Sequence, residues 1–134
     1  GVYLLDTNIV SAALRGSVDI DERLSVLDAS QWCVYSVTRA ELRFGVALKP
    51  ASALLRQLVE AFLAAATTAP WDARAADRHG VLRASLRVAG TPIGDFDEMI
   101  AAHALSIGAV LVTDNVRHFA RVEGLALENW LRAD

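Results

Sequence analysis

Five acidic residues lie beside the predicted ends of strands or the predicted beginnings of helices. They are Asp6, Glu41, Asp95, Asp97 and Asp114. A carboxylate that ends a buried strand, as Asp6 does after residues 2–5, is costly without a partner. Clustered carboxylates also repel one another, so a site that gathers several of them needs a cation or bound protons. The acids therefore indicate a cation site if folding brings them together.

The available ligand atoms favour a hard ion. Cys33 is the only cysteine, so the chain forms no internal disulfide and no thiolate metal site. The histidines are not paired at ligand spacing. An oxygen-only ligand set suits Mg²⁺ or Mn²⁺. We interpret Cys33 itself as a core residue of a protein kept in a reducing compartment.

Strand and helix signals alternate along the chain. Strands are predicted at residues 2–6, 32–36 and 109–113, with shorter extended pieces at 67–70 and 125–128. Helices are predicted at residues 8–15, 21–27, 38–49, 52–66, 72–89 and 95–107. This alternation predicts a parallel sheet with helices on both faces. In such a fold the strand-to-helix junctions share one edge, where ligands bind, so the acids are expected to meet there.

Helix capping is a second interpretation of the same acids. Asp6 could simply cap the helix that follows it. Thr38 with Glu41 matches a capping box, and Asp95 with Glu98 offers the same spacing. Capping explains each acid separately, but it does not explain why four junctions carry acids. At this point both interpretations stay open.

Length and composition predict one packed domain. The chain has 134 residues, of which 54% are hydrophobic and 22% are charged. No apolar run approaches the roughly 20 residues of a membrane span, so we expect no membrane partner and a location in the cytoplasm. The net charge of −3 argues against simple electrostatic binding to nucleic acid.

Four motifs in this order resemble the PIN-domain toxins of the VapC type. They are LDTNIV at 5–10, SVT at 36–38 with ELRFG at 41–45, PIGDFDEMIAAHA at 92–104, and LVTDN at 111–115, followed by a tail at 119–130. The resemblance covers essentially the whole chain. It implies an α/β fold, a three-layer α/β/α sandwich around a parallel sheet, formed by residues 1–134 as a single PIN domain.

The resemblance also implies catalytic and metal-binding residues. Asp6, Glu41 and Asp97 match the family's acidic positions. Asp114 is our candidate for the fourth, although the resemblance does not decide whether Asp114 or Asp95 is a direct ligand. The supporting positions are Thr7, Asn8, Asp95, Thr113 and Asn115.

The implied activity is Mg²⁺- or Mn²⁺-dependent hydrolysis of tRNA or ribosomal RNA at a defined site. The implied partners are an RNA substrate, a VapB-type antitoxin and a second copy of the chain, within a toxin–antitoxin hetero-oligomer. Candidate contacts with RNA phosphates or with the antitoxin are Arg15, Arg39, Arg43 and Arg117. The histidines His79, His103 and His118 are interpreted as surface or packing residues. The apolar helical face 54–63 is either core or a dimer contact.

Other functions receive less support from the residues. A receiver domain needs a lysine after its last strand, but the only lysine is Lys49. A haloacid-dehalogenase phosphatase needs a second Asp where this chain has Asn8. No glycine-rich phosphate loop is present. The remaining alternatives are a catalytically inactive PIN-fold binding module and a nuclease that acts on another nucleic acid.

Overall fold

The computed structural model describes residues 1–131 and shows within them a five-stranded sheet whose neighbouring strands are all parallel. The strands are β1 (Tyr3–Leu5), β2 (Trp32–Tyr35), β3 (Thr67–Ala69), β4 (Val110–Val112) and β5 (Leu127–Glu128). Their order across the sheet is β3-β2-β1-β4-β5. The direction of the strand order therefore reverses at β1. Ligand sites of open α/β sheets lie at such a point, beyond the carboxyl ends of the strands.

Helices cover both faces of the sheet. Within residues 1–131 they are α1 (Thr7–Leu14), α2 (Val18–Ser25), α3 (Ser36–Leu48), α4 (Ala53–Ala65), α5 (Ala73–Val88), α6 (Asp95–Ile107) and α7 (Val116–Phe119). Leu4 and Leu111 pack in the core that includes residues of α5, α6 and α7. Leu5 and Val112 pack in the other core, with residues of α1 to α4. These two cores confirm the three-layer α/β/α architecture. None of the helices among the described residues has the length and apolar character to span a membrane.

The predicted element boundaries are confirmed best where a strong local signal ends a helix. Helix α6 covers the predicted residues, and Gly108 ends it in the left-handed conformation with φ of 64°. The predicted first residue of the helix at 21–27 is wrong. Helix α2 begins at Val18, because the Ser17 hydroxyl, rather than Asp21, accepts a hydrogen bond from the first turn.

The capping interpretation of Glu41 and Asp95 is wrong. Helix α3 begins at Ser36, so Thr38 lies inside the helix, where it is fully buried and its hydroxyl lies 3.1 Å from that of Thr7. The N-cap of α6 is Gly94, and Asp95 is the first helical residue. The buried Glu98 still reaches back, but its Oε2 accepts from the backbone N–H of Ile93 at 3.1 Å.

Two glycines provide a test of the backbone geometry that begins α6. Gly94 has φ of 101° and ψ of 151°, a region that essentially only glycine adopts. We expect Gly94→Ala to lower the free energy of unfolding by about 1–3 kcal/mol. Gly80 lies inside α5, and a Cβ there would meet nothing within 4 Å. Gly80→Ala should therefore raise the free energy of unfolding by about 0.5–1 kcal/mol. Urea denaturation measures both changes. Effects of the same sign would contradict the assigned difference between the backbone conformations of Gly94 and Gly80.

Candidate active site

Asp6 stands at the carboxyl end of β1, where the strand order reverses, and is only 9% exposed. It is the N-cap of α1, and its Oδ1 accepts a hydrogen bond from the backbone N–H of Thr7 at 2.8 Å. Its Oδ2 accepts from the Asn8 side-chain amide at 3.1 Å and from the Thr113 hydroxyl at 2.8 Å. Asp6 therefore caps a helix, and three neighbours also fix the orientation of its carboxylate.

Opposing influences act on the pKa of Asp6. Burial is the largest and raises the pKa, because the charged form loses its water. The hydrogen bonds from Thr113, Thr7 and Asn8 lower the pKa. The negative charge of Asp97 raises it again. The net result is a pKa above the ordinary value of 3.8, so this environment favours a proton or a cation at the carboxylate.

A cavity of about 380 Å³ opens beside Asp6 and brings together three of the predicted acids. Its lining residues are Asp6, Thr7, Asn8, Ser11, Tyr35, Glu41, Phe96, Asp97 and Asn115. Asp6 follows β1, Glu41 lies on α3 and Asp97 lies on α6. Residues that are far apart in the sequence thus line one acidic cavity at the carboxyl edge of the sheet.

Glu41 lies on the exposed side of this cavity, in the second turn of α3. Partial burial is the main cause that raises the pKa of Glu41, and the charges of Asp6 and Asp97 add to it. The Thr7 side chain acts in the opposite direction. Because α3 begins five residues earlier, Glu41 has no role in starting its helix. Its carboxylate is available to the cavity.

Asp97 is oriented by His118, for which the sequence predicted a surface or packing role. The Nε2 atom of His118, on α7, lies 2.9 Å from the Asp97 Oδ2 and 2.9 Å from the backbone carbonyl oxygen of Ile93. A carbonyl oxygen only accepts hydrogen bonds, so Nε2 carries a proton and donates it. His118 therefore ties α7 both to the Asp97 carboxylate and to the loop before α6.

The remaining acids lie beside the cavity rather than in its lining. The backbone N–H of Asp114 donates to the Asn8 Oδ1 at 3.0 Å, and the Asp114 Oδ1 accepts from the Asn129 amide at 3.1 Å. Asn115 lines the cavity instead. Asp95 is exposed at the beginning of α6 and does not line the cavity. Asp114 thus supports Asn8, which in turn holds the Asp6 carboxylate.

Two aromatic residues of the lining were not predicted from the sequence. Tyr35 ends β2 and is 3% exposed. Burial, followed by the charge of Glu41, raises the pKa of Tyr35, so its phenol stays protonated and can donate a hydrogen bond. Phe96 is 63% exposed and directly precedes Asp97. A continuous apolar run predicts that Tyr35 belongs to a strand, but it does not show which side chains border a cavity.

The four candidate arginines lie outside the lining of the acidic cavity. Arg39 donates to the Thr68 hydroxyl at 3.1 Å, and Arg43 forms an ion pair with Glu60. Arg15 and Arg117 are exposed. The structure therefore gives two of these arginines intramolecular partners and leaves the other two on the surface.

The donor chemistry of the cavity fits a hard divalent cation. The acids that line it offer carboxylate oxygens, and Asp6 and Asp97 repel one another when both are charged. Within residues 1–131, no group of three or more His, Cys, Asp or Glu side chains is close enough to hold an ion on its own. An ion bound here would therefore keep several of its water ligands, which is the usual behaviour of Mg²⁺.

Comparison with known proteins gives matches over nearly the whole chain. The PIN domain family matches residues 3–125. The tRNA(fMet)-specific endonuclease VapC of Salmonella typhimurium is 37% identical over 129 residues, which are 96% of this chain and 97% of that protein. Ribonuclease VapC2 of Haemophilus influenzae is 38% identical over 130 residues, covering 96% and 98% of the two chains. The crystal structure of DNA-bound VapBC from Salmonella typhimurium contains a chain that matches with a TM-score of 0.89 and 36% identity, covering 96% of this chain and 98% of that one.

The substitution Asp6→Asn tests the buried carboxylate. The raised pKa means that the folded state favours the protonated acid, so this group reduces stability as the pH rises from 3.8 through the raised value. The variant amide does not titrate there. The wild-type protein should therefore lose stability relative to the variant, by about 1.4 kcal/mol for each unit of pKa difference. Urea denaturation of both proteins in EDTA, from about pH 3.5 to about pH 7, measures this difference. A relative gain by the wild-type protein with rising pH would contradict the raised pKa.

Proposed function

Because the chain belongs to the VapC group of PIN-domain proteins, we propose that it is an endoribonuclease toxin that a cognate antitoxin neutralises. The observation that carries the proposal is the single cavity lined by Asp6, Glu41 and Asp97. The VapC relative from Salmonella typhimurium is named for its action on tRNA(fMet). We therefore propose structured cellular RNA, either tRNA or ribosomal RNA, as the substrate class, and the cytoplasm as the location.

The proposed cofactor is Mg²⁺ or Mn²⁺. The proposed ligands are Asp6 and Asp97, with Glu41 and Asp114 contributing either directly or through metal-bound water. When bound, a divalent ion supplies Lewis-acid activation of water and neutralises charge on the phosphate oxygens. The oxygen-only donors and the raised pKa of the Asp6 carboxyl support such a cofactor.

The side chains of this protein contribute orientation and charge. Asp6 is held by three donors, so its carboxylate does not need to reorganise when substrate enters. His118 fixes one oxygen of Asp97. The exposed position of Glu41 leaves one side of the cavity open to a phosphodiester. The Tyr35 phenol, also in the lining, can donate a hydrogen bond to a phosphate oxygen.

The acidic cavity also supports the proposed antitoxin partner. A guanidinium group compensates carboxylates through paired hydrogen bonds, so an arginine of a VapB-type antitoxin would fit here. The VapBC structure from Salmonella typhimurium contains toxin and antitoxin together. We propose a corresponding hetero-oligomer, built on a homodimer of this chain, with Arg15 and Arg117 as surface candidates for contacts with RNA or with the antitoxin.

Asparagine substitutions of the cavity acids test the proposed activity. Loss of a residue that only supports a metal ligand typically lowers activity about 10–100-fold. Asp6→Asn and Asp97→Asn should each lower RNA cleavage by more than this. The matched control is Asp95→Asn, because Asp95 lies on the same helix as Asp97 but outside the cavity. Cleavage of total cellular RNA by purified protein, with Mg²⁺, Mn²⁺ or EDTA, gives the measurement.

Each result has a distinct meaning. The proposal is supported if cleavage requires the divalent ion, occurs in the wild-type protein and in Asp95→Asn, and is lost in Asp6→Asn and Asp97→Asn. Absence of cleavage by the wild-type protein would favour an inactive binding module. Cleavage of single-stranded DNA in preference to RNA would favour a nuclease for another nucleic acid.

Substitution of His118 tests whether it positions Asp97. We expect His118→Ala to weaken the apparent affinity for Mn²⁺ about 10–100-fold, because Asp97 loses the donor that orients it. His118→Gln retains an N–H donor at a similar position and should recover part of this loss. The Mn²⁺ concentration that gives half-maximal cleavage is the measurement. An unchanged value in the Ala variant would show that His118 only packs.

A further inference from the structure

Phe96 is a large apolar side chain in a place that core packing does not explain. It lines the acidic cavity, directly precedes Asp97 and is 63% exposed. Its neighbour two positions later, Glu98, is 3% exposed, so the same helix turn buries a carboxylate and exposes an aromatic ring. This arrangement leaves the ring accessible to a ligand of the cavity.

The backbone holds Phe96 in a defined place relative to Asp97. Both residues belong to the first turn of α6, and Gly94 turns the chain into this helix with φ of 101°. The Glu98 carboxylate accepts from the Ile93 N–H, and His118 contacts the Ile93 carbonyl oxygen. The loop before Phe96 is therefore anchored from two directions, so ordering the ring on a ligand carries a small entropic cost.

We propose that Phe96 is a substrate-positioning residue whose ring stacks on a base next to the phosphate held in the acidic cavity. This inference rests on the proposed ribonuclease function. An aromatic ring beside a phosphate site recognises single-stranded nucleic acid by stacking, and this recognition accepts any base because every base has a π-face. Phe has no hydrogen-bonding group and so does not read base identity. Phe96 selects a nucleotide whose face is free, which a continuous duplex does not offer.

Phe44 provides a matched control within the same chain. It is 65% exposed, nearly the same as Phe96, but it lies on α3 outside the lining of the cavity. Removal of either ring takes a similar exposed apolar area from the surface. Only removal of Phe96 should change how the cavity holds RNA.

The experiment compares Phe96→Ala, Phe96→Trp and Phe44→Ala in steady-state cleavage. The substrate is a hairpin RNA whose loop contains a site that the wild-type protein cuts, and its comparison is the same sequence annealed into a continuous duplex. Phe96→Ala should raise KM for the hairpin by about 5- to 150-fold, the loss expected for one stacked base, with a smaller effect on kcat. Phe96→Trp should restore most of the affinity, and Phe44→Ala should match the wild-type protein. The duplex should be a poor substrate for all of them.

A spectroscopic measurement guards against a folding effect. In the cleavage-deficient Asp97→Asn background, Phe96→Trp should show tryptophan quenching when the hairpin RNA is added, beyond the quenching of the background protein, which has three tryptophans.

Quenching together with the KM change supports the inference. Wild-type cleavage with unchanged KM in Phe96→Ala overturns it, as does equal cleavage of the duplex. Loss of dimer or antitoxin binding in Phe96→Ala, with normal KM, also overturns it and assigns the ring to a protein contact. Absence of any cleavage by the wild-type protein overturns the ribonuclease function itself and is thus distinct from these results.

Discussion

A buried carboxylate that the fold must solvate with its own donors is the constraint on which the site depends. Asp6 has lost nearly all contact with water, and the donors that replace water come from the first turn of α1 and from the end of β4. These contacts join the two strands at the reversal of strand order. They do not offset the cost of burial, because the pKa of Asp6 remains raised. The hydrogen bonds therefore fix the orientation of the Asp6 carboxylate but do not fully stabilise its negative charge, so the site favours a positively charged ligand.

The neighbouring elements are arranged by the same network. Thr7 donates its backbone N–H to Asp6, while its hydroxyl meets that of the buried Thr38 on α3, the helix that carries Glu41. Asn8 links Asp6 to the backbone of Asp114. Short polar side chains thus set the relative positions of α1, α3 and the segment after β4. The acids approach one another because these uncharged groups hold the backbone that carries them.

The sequence predicted those parts of the protein whose signals are local. The apolar strand that ends at Asp6 and the helix that Gly108 ends were both readable from short stretches. The capping alternative for Thr38 and Asp95, which the sequence left open, is wrong. The spacing of a capping box is also a local signal, and it does not reveal that α3 begins at Ser36 directly after β2. The contact of His118 with Asp97 spans 21 positions of the chain and requires the position of α7, whose four residues are too few for a periodic pattern.

The acidic character of the cavity resolves an apparent conflict between a protein of net charge −3 and a polyanionic substrate. The net charges of the protein and of RNA have the same sign and repel each other, so the proposed selectivity for RNA must come from a few short-range groups at the cavity. In the proposed function a cation would supply the charge for the phosphate, and the exposed ring of Phe96, which lines the cavity, would supply a surface for a base. An arginine from an antitoxin would compensate the same carboxylates as the cation. The proposed active state would then have the cation in the acidic cavity, and the neutralised state would have the antitoxin arginine there. The two states would need no change in the fold.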